Sequence, residues 1–338
     1  VHELIASPFL DDYLVLHPGS TRGLKISHSR YLELRQAARS GDRCPRWLVE
    51  AVRRQWELDV ASRTVGGAVL VRECSPYGYG RASYELNLGC NYDCEHCYLG
   101  LKRFRGLPWP DRERLLHILR DAGVLWLQLT GGEPLIDKLF PEVYGLAHEL
   151  GMMISISSNG SRLSDPRILE LLTSRWPYRL TLSVYGATAE GYDSLTRRHG
   201  SFKAFSKGLA AAHEAGLPLS LNLIVARQNA HEVDQMRALA EGLGLPYHVF
   251  SNMSPTIYGG AESLPRSRSS TCGSASRSPA ATLVTPSSMS IRTAWPASAR
   301  SAATLRSRSW SRGSRDCAAS AGSPTRSCFA RTPAPAAA

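Results

Sequence analysis

Tyr84-Glu85-Leu86-Asn87-Leu88-Gly89 runs directly into Cys90-Asn91-Tyr92-Asp93-Cys94-Glu95-His96-Cys97-Tyr98. The first stretch is short, mostly apolar and closed by glycine, which predicts a β-strand in a buried sheet. The second places three cysteines on one loop at intervals of four and three residues. Thiolates so spaced converge on one metal centre. A structural zinc ion takes four protein ligands, so zinc here requires His96 or a distant cysteine as the fourth. A 4Fe–4S cluster held by three cysteines instead leaves one iron open to a small molecule.

Outward from this strand, a strand-then-helix pattern recurs about every 30 residues. Strands are expected over 84–89, 124–130, 152–158, 179–185, 219–226 and 247–252. Helices are expected over 112–122, 139–150, 165–174, 202–215 and 232–243. Near-continuous apolar strands alternating with helices predict a parallel sheet covered by helices. Six units define the fold class as α/β, a partial (β/α)6 TIM-like barrel over 81–258. Its functional residues belong where strands end and loops begin. The second strand ends in such a motif, Leu129-Thr130-Gly131-Gly132-Glu133-Pro134. Paired glycines let a backbone approach a ligand closely, and the loop with Glu133 suits an ammonium group.

The two motifs in this order, on these strands, resemble the radical S-adenosylmethionine (radical SAM) superfamily. The resemblance covers about residues 82–255. It implies that Cys90, Cys94 and Cys97 bind a 4Fe–4S cluster whose open iron chelates S-adenosylmethionine. It further implies that an electron from the cluster cleaves the cofactor and that the resulting 5′-deoxyadenosyl radical abstracts hydrogen from the substrate. Gly131, Gly132 and Glu133 would then contact the cofactor. So would Ser157 and Asn159 in the turn after the third strand, Ser183 on the fourth strand near the ribose, and Arg197 toward the carboxylate. The resemblance names no catalytic residue and implies a flavodoxin- or ferredoxin-like electron donor.

Within the superfamily, the segment 193–202 and the overall layout resemble peptide-modifying maturases of the SPASM or twitch type, whose Cys-rich C-terminal extension binds further clusters. The implied substrate is a ribosomal peptide or a protein side chain. Small-molecule cofactor biosynthesis, or zinc or iron–sulfur binding without catalysis, are the alternatives. Residues 1–80 form a small α+β region with apolar clusters at 13–16 and 68–71 and a helix over 47–58. That region is a peptide-recognition module or a cover for one end of the barrel.

The net charge of +11 is lopsided. Residues 266–338 carry 11 Arg and one Asp, leaving the rest of the chain close to neutral. A nucleic-acid partner is therefore not expected. The tail, 259–338, is low-complexity Arg/Ser/Ala sequence without apolar periodicity, which predicts disorder. We read it as an out-of-frame translation of a GC-rich gene rather than a natural basic tail or a nucleic-acid arm. Stepping back one nucleotide across 289–304 permits a stretch with Asp-Pro-Tyr-Gly and a cysteine, as in a Cys-rich auxiliary-cluster domain. No apolar run reaches the ~18–20 residues of a spanning helix, and residues 1–10 carry no secretory signal pattern. The expectation is a cytoplasmic protein without a membrane partner.

Overall fold

The computed structural model of the protein describes residues 2–94, 96–97, 99, 102–251 and the strand at 288–291. The leading region folds as a meander, β1 (Leu4–Phe9), β2 (Asp12–Leu16) and β3 (Gly23–Ile26). Helices α1 (His28–Ser40), α2 (Arg46–Trp56) and α3 (Val65–Ala68) follow, and then β4 (Val69–Val71). The sheet order is β3-β2-β1-β4, antiparallel except for the parallel β1–β4 pair. Ser27 starts α1 by accepting a hydrogen bond from the Arg30 N–H, satisfying one of the free donors of the first turn. One sheet face buries Leu4, Ala6, Val15 and Val69 against Tyr31, Leu34, Leu48 and Val52 of the helices.

Alternate residues of the same strands point the other way. Ile5 and Leu16 pack with Leu125 and Met153, flanked by Phe9, Trp126 and Tyr178. The rings of Phe9 and Trp126 meet edge to face at 4.6 Å. These barrel residues lie at or just before the start of their strands. The leading region therefore packs against the N-terminal end of the barrel.

The barrel sheet is parallel throughout. It contains β5 (Arg81–Glu85), β6 (Trp126–Thr130), β7 (Met153–Ser158), β8 (Arg179–Val184), β9 (Leu219–Ile224) and β10 (Tyr247–Phe250), side by side in chain order. A seventh strand, β11 (Ser288–Ile291), pairs in parallel with β5 from within the tail. The connecting helices are α4 (Trp109–Asp121), α5 (Phe140–Glu149), α6 (Pro166–Ser174), α7 (Ala189–Thr196), α8 (Ser201–Glu214) and α9 (Val233–Gly242). Apolar residues three and four apart, such as Phe140, Val143, Tyr144 and Ala147, face the sheet, as helical periodicity demands.

Three expectations need correction. The first barrel strand runs over Arg81–Glu85 rather than 84–89. The Leu86 N–H still donates to the Thr130 carbonyl of β6, but beyond it the chain leaves the ladder: the Gly89 N–H donates to Asn87 Oδ1 and the Leu88 N–H to the Arg103 carbonyl. The strands are also not apolar on both faces. Leu180, Leu182 and Val184 of β8 are buried beneath helices, while Thr181 and Ser183 between them face the barrel interior and are only half-buried. Only one face is covered, so the sequence alternates. Finally, α1 and α7 were not expected. The eight-residue α7 is held at its start by Glu232, whose carboxylate accepts from the N–H groups of Ala187 (2.6 Å) and Thr188 (3.1 Å) and from Thr188 Oγ1 (2.7 Å). The remainder of the tail lies outside the described residues, as does any Cys-rich extension read in it.

Candidate functional site

The cysteine loop follows β5, the Gly-Gly-Glu loop follows β6 and the Ser157–Gly160 turn ends β7. All three lie at the C-terminal ends of neighbouring parallel strands. The chain's own hydrogen bonds draw them together. The N–H groups of Gly132 and Glu133 donate to the carbonyls of Asn87 (3.0 Å) and Gly89 (2.8 Å). The Glu133 side chain reaches across to β7 and accepts from the Asn159 N–H at 2.6 Å and from Ser158 Oγ at 2.8 Å. It also accepts from the Leu135 N–H at 3.0 Å. From the turn thus fixed, Asn159 Nδ2 donates to Asn91 Oδ1 at 2.8 Å and to the Cys90 sulfur at 3.8 Å. The Tyr92 N–H, at 3.4 Å, is a second donor to that sulfur.

This geometry explains the two glycines differently from the sequence reading. A Cβ on Gly132 would lie 2.0 Å from the Gly89 carbonyl oxygen, and one on Gly131 would lie 2.2 Å from the Asn87 oxygen. Gly131 also holds φ at +131°, a region L side chains avoid. Both positions are needed for backbone to meet backbone inside the protein. Gly132→Ala is expected to push the two loops apart and to cost about 1–3 kcal/mol, measurable as a lowered urea midpoint. Glu133 is likewise fully buried, with both oxygens satisfied by protein donors. Its carboxylate ties the β6 loop to the β7 turn.

The cysteine loop is anchored on its other side by α7 and α8. The Asp93 N–H donates to the Thr196 carbonyl at 2.9 Å, and the Tyr92 hydroxyl to the Ser201 carbonyl at 3.3 Å. Lys102 donates to the Tyr92 carbonyl and pairs with Asp93 at 2.8 Å. Arg197 caps α7 in a left-handed conformation (φ 50°), with its side chain exposed near Asp93. Ser157 and Ser183 lie on the interior face of the sheet, half-buried, and Ser157 Oγ accepts from Gln128 Nε2 at 2.8 Å. The structure thus brings Cys90, Gly131, Gly132, Glu133 and Asn159 into one bonded cluster. Ser157 and Ser183 stand on the strands beneath it, and Arg197 stands at the rim. Tyr98 lies outside the described residues.

Burial pushes the Cys90 thiol up to about 11 and the Cys94 thiol up to about 12. Without metal these groups are protonated near neutrality, and loading a metal releases their protons. Among the described residues, no group of three or more His, Cys, Asp or Glu side chains is gathered tightly enough to hold a single metal ion. Three sulfur donors on one loop are the ligand type of an iron–sulfur cluster, whereas a zinc ion would need His96 or a further cysteine as a fourth ligand. Asn87, Asn91 and Ser161, which link these loops, were not singled out from sequence. A polar Asn87 inside an apolar strand end was the available signal.

Residues 84–240 match the radical SAM superfamily, and this part of the chain is a radical SAM domain. Over 182 residues the chain is 30% identical to the AdoMet-dependent heme synthase of Methanosarcina barkeri (strain Fusaro / DSM 804), covering 50% of this chain and 49% of that protein. It is 33% identical over 166 residues to the PqqA peptide cyclase of Granulibacter bethesdensis (strain ATCC BAA-1260 / CGDNIH1), covering 47% and 43%. The crystal structure of Streptococcus suis SuiB bound to precursor peptide SuiA superposes with a TM-score of 0.50 over 75% of this chain and 62% of that one. At 15% identity that likeness concerns the fold alone. The chain spans about half the length of the curated relatives it matches. No helix among the described residues is long and apolar enough to cross a membrane.

Proposed function

We propose that the protein is a radical SAM enzyme that acts on a ribosomal peptide or a protein side chain. The observation that carries this reading is the joining of three loops: Glu133 fixes the β7 turn, and Asn159 from that turn reaches the first cysteine of the β5 loop. Cys90, Cys94 and Cys97 would hold a 4Fe–4S cluster. Bound there, cluster and S-adenosylmethionine supply one-electron reductive cleavage and a carbon-centred oxidant for hydrogen abstraction. The chain's own residues prepare the place. The two N–H donors at the Cys90 sulfur withdraw electron density from it and so raise the potential of whatever it binds. Gly131 and Gly132 let the second loop lie flush against the first. Ser157, Thr181 and Ser183 offer polar groups on the interior face, where a ribose and a substrate would rest. Arg197 at the rim would meet a carboxylate. The reduced form would come from a flavodoxin- or ferredoxin-like donor.

A peptide substrate is supported by the peptide cyclase relative and by the leading region. Edge strand β3 pairs only with β2 among the described residues, so its other edge is free to add an extended peptide as a further strand. This region closes the end of the barrel away from the cysteines. Strands β5 to β9 are five or six residues long, roughly 17–20 Å. A peptide docked on β3 would therefore need at least ~6 extended residues to reach the site. The heme synthase relative favours a second reading, a small-molecule substrate of cofactor biosynthesis.

Anaerobic reconstitution with iron and sulfide, then dithionite and S-adenosylmethionine, tests the proposal. The expected result is a brown protein that releases 5′-deoxyadenosine, faster when a peptide encoded beside its gene is added. A preparation with about one zinc per chain and no sulfide would overturn it. A fully loaded protein that releases no 5′-deoxyadenosine would do the same.

A further inference from the structure

Beneath the cysteine loop lies a buried polar network that the chemistry above does not use. Arg112 of α4 and Asp137, just before α5, form a two-pronged ion pair: Nη1 to Oδ1 at 2.9 Å and Nη2 to Oδ2 at 3.0 Å. Their side chains are 3% and 4% exposed. Asp137 also accepts from the Leu139 N–H at 2.9 Å and from Asn87 Nδ2 at 2.7 Å. Arg112 donates further to the carbonyls of Leu107 (2.6 Å) and Leu86 (3.4 Å).

A buried ion pair is an expensive way to gain stability, because desolvation offsets most of its attraction. What it supplies here is direction. A carboxylate only accepts, so the Asn87 amide must turn its NH2 toward Asp137. Its Oδ1 then faces the Gly89 N–H, at 2.8 Å, one residue before Cys90. The main-chain carbonyl of the same Asn87 accepts from the Gly132 N–H at 3.0 Å. One side chain and its own backbone thus fix the start of the cysteine loop and the middle of the Gly-Gly-Glu loop together. Space around it is closed: a Cβ on Gly106 would lie 2.1 Å from the Leu86 oxygen and 2.3 Å from Arg112 Nη2.

We infer that Asn87, oriented by the Arg112–Asp137 pair, is the positioning residue that sets the distance between the cluster-bearing loop and the cofactor-binding loop. The inference rests on the cysteine loop being the cluster site and on the main chain of the second loop meeting the cofactor. Three thiols can follow a cluster when their loop shifts. A ligand that must touch both the open iron and the second loop cannot. Loss of Asn87 should therefore spare cluster loading and weaken S-adenosylmethionine binding.

The test compares reconstituted wild type, Asn87→Ala, Asn87→Asp and Asn87→Ser. The last leaves the Arg112–Asp137 pair intact and offers one hydroxyl, which can serve Asp137 or the Gly89 N–H but cannot bridge them as the amide does. Iron and sulfide content, the thermal midpoint, the Kd for S-adenosylmethionine by equilibrium dialysis, and the low-temperature EPR signal with and without it are measured. Asn87→Ala is expected to carry the wild-type complement of iron and sulfide. Its Kd should rise about 10–100-fold, as for loss of an outer-shell partner, and the cofactor-induced EPR shift should be diminished. Asn87→Asp, which sets two carboxylates face to face, should bind as poorly. Asn87→Ser, which keeps one of the two links, should fall between wild type and Asn87→Ala. A wild-type Kd in fully loaded Asn87→Ala would overturn the inference. If Asn87→Ala does not fold, a wild-type Kd in fully loaded Asn87→Ser overturns it. Wild-type protein that takes up no sulfide removes the site itself, and the inference with it.

Discussion

Cys94→Ala is expected to give a folded, colourless protein. Cys94 is the middle of the three sulfurs, and burial holds its thiol at about 12. It is a weak acid until a metal displaces the proton. Losing this ligand should lower iron uptake and 5′-deoxyadenosine release by at least ~100-fold, because even outer-shell losses around metals cost 10–100-fold. The exposed Cys74 gives the matched control: Cys74→Ala should keep full colour and full cofactor cleavage. Visible absorption, sulfide content and product release read the outcome. Undiminished colour in Cys94→Ala would mean that the centre lies elsewhere.

Glu133→Gln should change how the metal-free protein responds to pH. Burial, outweighing three hydrogen bonds to its oxygens, pushes the Glu133 carboxyl up to about 7 from 4.5. Between those values the folded chain keeps a proton that the unfolded chain has released. Stability therefore falls as pH rises from about 4.5 to about 7 and levels off above, a swing of roughly 3 kcal/mol. Gln does not titrate, so the difference in unfolding free energy between variant and parent should vary by that amount across the window. The variant also turns one NH2 group toward the Leu135 or Asn159 N–H, leaving a donor unsatisfied at a pH-independent cost of about 1–3 kcal/mol. Urea titrations at pH 5 and pH 8 measure both. A constant offset between the two proteins would show that Glu133 does not titrate in this range.

The cysteine spacing and the Gly-Gly-Glu run were legible because each motif is continuous in the chain. So were six strands and five helices, through their apolar periodicity. The network around Asn87 was not, because its partners lie 25 residues apart for Arg112 and Asp137 and 50 apart for Asn87 and Asp137. No periodicity links such positions. Tight packing of Gly132 on Gly89 was hidden too: a glycine that admits a ligand and one that admits another backbone look alike in sequence. The polar interior face was missed because isolated Ser and Thr in an apolar run read as noise until one face proves uncovered. Short strands such as β3, with two exposed residues among four, offer too few positions for alternation to register. The strand β11 lies in sequence without a pattern, and it joins the sheet through main-chain pairing, which any non-proline residue can supply.

That last strand bears on how the molecule is made. Six ribbons can settle beside one another as they leave the ribosome, each finding the neighbour delivered just before it. β5 gains β6 on one side within about 45 residues, but its outer edge must wait for β11, about 200 residues downstream. At 5–20 residues per second the delay is roughly 10–40 seconds of translation. Throughout that interval the hydrogen-bonding rim of the ribbon leading into the sulfur loop stays open to any stray nascent chain.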